Sequence, residues 1–169
     1  MAVTHRDERL QPSLLDRLTD LAPTQKKESL DQQTLTMQQL RRAVLRDLGW
    51  LLNATNYATV DDMAGAPLAA ASTINFGIPG FAGLITAKSR SGSLEAAIAT
   101  AVRAFEPRIK PDTLRVRARP RSSDDALPAL VFEITGELWA QPVPQQLFLE
   151  TSIELETRLA VVSDTKARA

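Results

Sequence analysis

Phe105-Glu106-Pro107-Arg108-Ile109-Lys110-Pro111, FEPRIKP, is the point at which the chain changes its hydrophobic period. Upstream, Leu94, Ile98, Ala101, Val102 and Phe105 recur at the spacing of one helical face, with the small Ala96, Ala97 and Ala99 beside them. Ser93 is a suitable N-cap, and Glu95 falls in the first turn, where the positive end of the helix dipole favours a carboxylate. Pro107 stops the helix, because it has no amide to donate and biases Glu106 away from the helical region.

Downstream the period is two. Leu114, Val116 and Ala118 alternate with Arg115, Arg117 and Arg119; Leu130, Phe132, Ile134 and Leu138 alternate with Val131, Glu133, Thr135 and Glu137. A third run places Leu147, Leu149, Thr151, Ile153 and Leu155 on one face, with Phe148, Glu150, Ser152, Glu154 and Glu156 on the other. Residues 120–128 make a polar connection, and Gln141-Pro142-Val143-Pro144 a stiff one. Strands with one apolar face need a covering layer. The expectation is therefore an α+β fold: N-terminal helices packed on one face of a small, mainly antiparallel C-terminal sheet of about three strands.

Working further outward, Leu40, Val44, Leu48, Leu51 and Leu52 predict a helix from Met37 that ends near Asn53-Ala54-Thr55-Asn56, with Arg41, Arg42, Arg46 and Asp47 on its other face. Asp61 to Pro67 has turn chemistry, Leu68 to Thr73 reads as a short second helix, and Asn75 to Gly83 closes it with three glycines and a proline. Before all of this, Ser13 caps a predicted amphipathic helix over 13–21, with Leu14, Leu15, Leu18 and Leu21 on its stripe. A helix so short is marginal in water and must dock on its own domain or on a partner. Three regions follow: an extension over 1–36, one α+β domain over 37–162, and a flexible tail over 163–169.

Composition narrows the chemistry. The 169 residues carry 20 Lys plus Arg against 20 Asp plus Glu, a formal charge of zero, so no global field recruits nucleic acid or anionic lipid. There is no cysteine and one histidine, His5, in a polar N-terminal segment, which leaves no thiolate metal site and no basis for a metal or cofactor. No run approaches the ~20 apolar residues of a membrane span, and the N-terminus lacks a signal-peptide pattern, so a cytoplasmic protein without membrane insertion is expected.

Two features could carry function. Glu133, Glu137, Glu150, Glu154 and Glu156 could supply a hydrolase's carboxylate pair, but they alternate with the apolar residues and face Arg115, Arg117 and Arg119, which predicts a solvated, charge-paired sheet face. The same arginines form a basic stripe that the glutamates cancel, and aromatic residues at 5% provide no stacking platform for nucleic acid. Glu106 is the odd residue: a carboxylate at a helix C-terminus opposes the macrodipole, whereas Arg108 suits it. Glu106 therefore needs a partner, either an arginine of this chain or another subunit, with Pro107 fixing the directions in which Glu106 and Arg108 are exposed.

Five stretches carry a resemblance in order and spacing: Pro12-Ser13-Leu14-Leu15-Asp16-Arg17-Leu18, Arg46-Asp47-Leu48-Gly49-Trp50-Leu51-Leu52-Asn53, Thr73-Ile74-Asn75-Phe76-Gly77-Ile78-Pro79, Phe105-Glu106-Pro107-Arg108-Ile109, and the run from Leu147 to Thr157. Together they resemble the TssE family of type VI secretion baseplate subunits, relatives of a contractile-phage wedge protein often labelled lysozyme-like. The resemblance implies a non-catalytic subunit at the baseplate docked on the inner-membrane complex. Its implied partners are the wedge subunits TssF and TssG, with TssK as a further neighbour, and the sheath subunits TssB and TssC. It implies that Glu106, Pro107 and Arg108 contact the wedge's core helical bundle, that the helix with Leu14, Leu15 and Leu18 docks on a partner, and that Phe148, Glu150, Ser152 and Glu154 lie on a sheath-docking strand. Gly80 departs from the aspartate usual in the family, which removes a polar contact and leaves the backbone geometry of the turn intact. The rival reading is a lysozyme-like, peptidoglycan-cleaving hydrolase that uses the strand glutamates.

Overall fold

FEPRIKP joins the helical and the strand layers in the computed structural model, which describes residues 10, 12–19, 23–24, 35–59, 61–80, 91–119, 129–139, 145–154 and 159–165. The elements are helices α1 (Leu14–Leu18), α2 (Met37–Asn53), α3 (Pro67–Ala70) and α4 (Ser91–Phe105), then strands β1 (Arg115–Arg119), β2 (Ala129–Leu138), β3 (Gln145–Glu154) and β4 (Ala160–Asp164). Single 3-10 turns at Tyr57–Thr59 and Thr73–Asn75 bracket α3.

α2 begins where the side chains of Thr36 and Gln39 each accept a hydrogen bond from the other's backbone amide, a reciprocal capping box. Its inward residues Leu40, Val44, Leu48, Leu51 and Leu52 are all buried, as the 3.6-residue period requires. α4 contributes Leu94, Ile98, Ala101 and Val102 to the same cluster. It starts at Ser91, so Ser93 lies inside its first turn and is not the cap expected of it. The two helices touch each other, α2 covering β4 and α4 covering β1.

The sheet is antiparallel throughout, in the order β1-β2-β3-β4. Its core face is Phe132, Ile134 and Leu138 of β2 with Leu147, Leu149 and Ile153 of β3. Four strands replace the expected three, and the fourth takes in Ser163 and Asp164, the first residues of the expected tail. β4 escaped the period-two test because it is apolar on both faces and charged within: Val161 points out and is exposed, whereas Asp164 pairs with Leu149 on the core side. Arg41 of α2 satisfies that buried-side aspartate at 2.5 Å. Leu155 and Glu156, expected to extend β3, lie outside the described residues.

α1 is shorter than the helix expected over 13–21, because Thr19 leaves the helical region at φ −90° and ψ 105°. Ser13 caps it as expected, accepting from the Asp16 amide. Leu10 and Leu35 form an isolated antiparallel bridge and pack on the core, so part of the N-terminal extension belongs to the globule. Gly77 has φ 121°, and a Cβ there would run into the Ala54 carbonyl. That close approach lets Ile78 donate its amide to the Ala54 carbonyl and accept from the Asn56 amide on either side of the Thr55–Ile78 bridge, tying the 73–79 turn to the end of α2.

Candidate functional site

The site is built where α4 stops. The Glu106 amide still donates to Val102 O, at 2.9 Å, as in a helix; Pro107 cannot continue the ladder, and the chain turns with Ile109 N donating to Glu106 O at 3.2 Å. The turn is then hung on the end of β2. Lys110 N donates to Glu137 O at 2.9 Å, Trp139 N donates to Arg108 O at 2.7 Å, and buried Ile109 bridges to Leu138. Arg108 is thus held by two elements before its side chain makes any contact.

That side chain answers the question Glu106 raised. Glu106 Oε1 accepts from Arg108 Nε at 2.6 Å and from the Arg108 amide at 3.1 Å, and Oε2 accepts from Nη2 at 2.5 Å. Three donors of one residue compensate the carboxylate for its unfavourable place at a helix C-terminus. Glu106 is only 2% exposed, which corrects the expectation of an exposed Glu106–Arg108 pair: Pro107 is exposed, Arg108 is half-buried, and Glu106 is inside. Among the described residues the cation paired with Glu106 is Arg108, two residues along the same turn, and that pairing holds the carboxylate inside.

The network continues beyond the turn. Arg108 Nη2 also donates to Asp47 Oδ2 of α2 at 2.5 Å; Arg46 contacts Asp47 Oδ1 with Nε at 2.8 Å and reaches Asp16 Oδ1 of α1 with Nη1 at 2.6 Å. Asp16 Oδ2 in turn accepts from the Ser13 hydroxyl at 2.6 Å. Five charged groups from α1, α2 and the turn therefore form one chain, Asp16–Arg46–Asp47–Arg108–Glu106. Burial works against the Arg108 cation, but the hydrogen bonds and charge of Glu106, and then of Asp47, outweigh it and raise its pKa. Burial likewise works against the Asp16 carboxylate, and the bonds from Arg46 and Ser13 outweigh it and lower its pKa. The Arg46 pKa is raised, first by its bond to Asp16. The sequence places Arg46 and Asp47 on the face of α2 opposite its leucines; the packing of the turn brings Arg108 to Asp47, and that of α1 brings Asp16 to Arg46.

Beside the network lies a cleft of about 450 Å³, whose wall includes Leu15, Trp50, Phe76, Phe105, Pro107 and Arg108. Phe76 and Phe105 meet edge to face at 5.2 Å, and Arg46 stacks over Trp50 at 4.8 Å. The two carboxylates on this wall, Asp47 and Glu106, are bridged by the same guanidinium, so neither is placed to share a proton with the other or to meet a substrate as an acid. Among the described residues no group of three or more His, Cys, Asp and Glu is arranged to hold a metal.

The other expected sites fall elsewhere. Leu14 and Leu18 of α1 are 72% and 74% exposed, while Leu15 turns to the cleft. On β3, Phe148 is exposed on the outward face and Glu150 and Ser152 are half-buried there; of Glu154 only the register is described, opposite Ala129. Outward Glu133 faces both Arg117 and Glu150 across the ladder, and Arg119 contacts Glu150 at 3.3 Å, so Glu133 and Glu150 lie on an open, charge-paired face. β3, the strand expected to dock the sheath, is hydrogen-bonded on both sides, by β2 and by β4, and so offers its outward face rather than an edge. The outer strands are β1 and β4.

Comparison with known proteins comes to three findings. A search of curated proteins finds no match. A solved structure from Geobacter sulfurreducens, provisionally described as a tail lysozyme, is similar at 16% identity over 69% of this chain and 94% of its own, with a TM-score of 0.44, too distant to bear on activity. The family model of the baseplate wedge protein gp25 matches residues 38–143, a span that holds α2, α3, α4, the Glu106–Arg108 turn, β1 and β2. With more than half its length matched, and with the network-bearing turn inside the match, the chain belongs to the baseplate wedge protein gp25 family.

Proposed function

We propose that this chain is a non-catalytic wedge subunit of a type VI secretion baseplate, gripped by TssF and TssG, with TssK near by, at the surface around Pro107 and Arg108. The observation that carries the reading is the fully internal pairing of Glu106. A buried carboxylate that spends its oxygens on one arginine is a brace, and it leaves exposed Pro107 and the cleft wall as a rigid contact surface. Exposed Trp50, with Leu15 of α1 on the same cleft wall, extends that surface with the aromatic and apolar character of interface centres. The sheath subunits TssB and TssC meet the outward side of the sheet, at Phe148, Glu150 and Ser152, and the neighbouring edge of β4. The site of action is the cytoplasmic baseplate.

Charge reversal at Glu106 or Arg108 is a poor test, because it breaks the brace and the fold together. Pro107→Asp changes an exposed side chain, and Trp50→Ala removes a half-exposed ring that stacks with Arg46 but lies outside the core cluster. Each is expected to weaken co-purification with TssF and TssG at least tenfold, the scale of a ~2 kcal/mol hot spot, while leaving the urea midpoint in place. If both variants bind like the parent chain, the contact surface is elsewhere. A peptidoglycan-clearing activity lost on changing one strand glutamate would overturn the non-catalytic reading.

A further inference from the structure

α1 is mounted with its polar side toward the body. Leu14 and Leu18 lie on the side turned to solvent, whereas Asp16 faces inward and is bonded to Arg46. None of its five residues is buried. A single turn of helix is far below the ~12–15 residues that hold a helix together in water, so α1 exists through its Ser13 cap, its Asp16 anchor and the contact of Leu15 with the cleft. Those attachments are few, and the ion pair is partly solvated, with Arg46 36% exposed.

Ser13 and Leu15 form part of the wall of the same cleft as Trp50, Phe76, Phe105 and Pro107. Whatever enters the cleft past them meets α1. Arg108, also on that wall, keeps Nη1 buried with no hydrogen-bond partner among the described residues, although Nε and Nη2 are fully engaged. A buried donor without an acceptor is costly, and it identifies what an incoming group should bring. The network already holds three carboxylates, Asp16, Asp47 and Glu106, against two arginines, so a further carboxylate is disfavoured and a neutral carbonyl oxygen is the matching acceptor.

We propose that α1 is a displaceable gate over this cleft, exchanged on assembly for an apolar side chain of a wedge partner flanked by a backbone carbonyl that accepts from Arg108 Nη1. The inference rests on the cleft being the wedge-binding surface and adds its regulation. Release of α1 frees Leu15 along with the already exposed Leu14 and Leu18, so the same event opens the cleft and leaves three leucines free to refold on a partner. The closed gate lowers the apparent affinity of the cleft by the fraction of molecules that are open.

The test uses the full chain and Asp16→Asn, which removes the anchor, with Asp112→Asn, an exposed change of the same charge before β1, as the control. The probe is anilinonaphthalene sulfonate, read by energy transfer from tryptophan, alongside binding of the purified TssF–TssG pair. Asp16→Asn is expected to raise dye binding, speed amide exchange across 14–18, and tighten the wedge pair roughly two- to fivefold, the range set by one partly exposed ion pair. The control should do none of these. Dye binding equal to that of the control overturns the gate whatever the wedge pair does, as does weaker wedge binding by Asp16→Asn. Raised dye binding in a chain whose wedge affinity ignores Pro107→Asp supports the gate and overturns instead the assignment of the cleft to the wedge.

Discussion

Glu106 shows how one residue can be read correctly as anomalous and wrongly as exposed. Its position after a helical stripe and before a proline marks it as a carboxylate that opposes the dipole, and that much is local chemistry. What the local rule leaves open is where the partner lies. The turn after Pro107 folds Arg108 back so that its Nε and Nη2 both meet Glu106, and Asp47 takes the remaining bond on Nη2. Because Glu106 is 2% exposed, removing its charge leaves Arg108 short of its main counter-ion in a largely dry site. Glu106→Gln should cost about 3–5 kcal/mol in urea unfolding, the range for breaking one side of a buried pair. A loss below about 1 kcal/mol would mean that water or Asp47 replaces the partner without strain.

At the scale of elements, each of the two long helices, α2 and α4, secures one outer strand with a polar side chain. Glu95 of α4 accepts from the Ala118 amide of β1 at 2.7 Å. Asn53, the last residue of α2, accepts from the Ala160 amide and donates to the Ala160 carbonyl of β4, both at 2.9 Å. Sheet edges with unpaired backbone groups invite unwanted pairing, and these contacts block part of each edge while fixing the helix over it. Asn53→Ala should cost about 1–3 kcal/mol, since it leaves an amide and a carbonyl without their bonds, and amide exchange should quicken first in β4. Equal acceleration across all four strands would show that β4 is not separately anchored. Neither contact is visible in the sequence, because residues 53 and 160 are far apart and Asn53 reads locally as a helix-ending residue.

For the molecule as a whole, one hydrophobic cluster runs through α2, α4, β2 and β3, with Ala160 of β4 at its border. Nothing in that arrangement divides the helices from the sheet into separate units. Urea unfolding followed by tryptophan fluorescence and by far-ultraviolet dichroism should give coincident transitions, as a single cooperative core requires. Asp16→Asn should leave that midpoint unmoved, because α1 contributes no buried residue to the cluster. Separate transitions would place a boundary inside the core. The sequence by itself determined the helical stripes of α2 and α4, the period-two runs of β1 to β3, the stop at Pro107 and hence the helix-then-sheet order, because each follows from spacing within one segment. Only the tertiary structure decided that α1 turns Leu14 and Leu18 outward, that a short strand with an inward aspartate completes the sheet, and that Glu106 belongs to an internal chain of charges. Those facts depend on Arg41, Arg46 and Asp47 finding partners far along the chain, and a pairing of that kind leaves no period for local sequence to display.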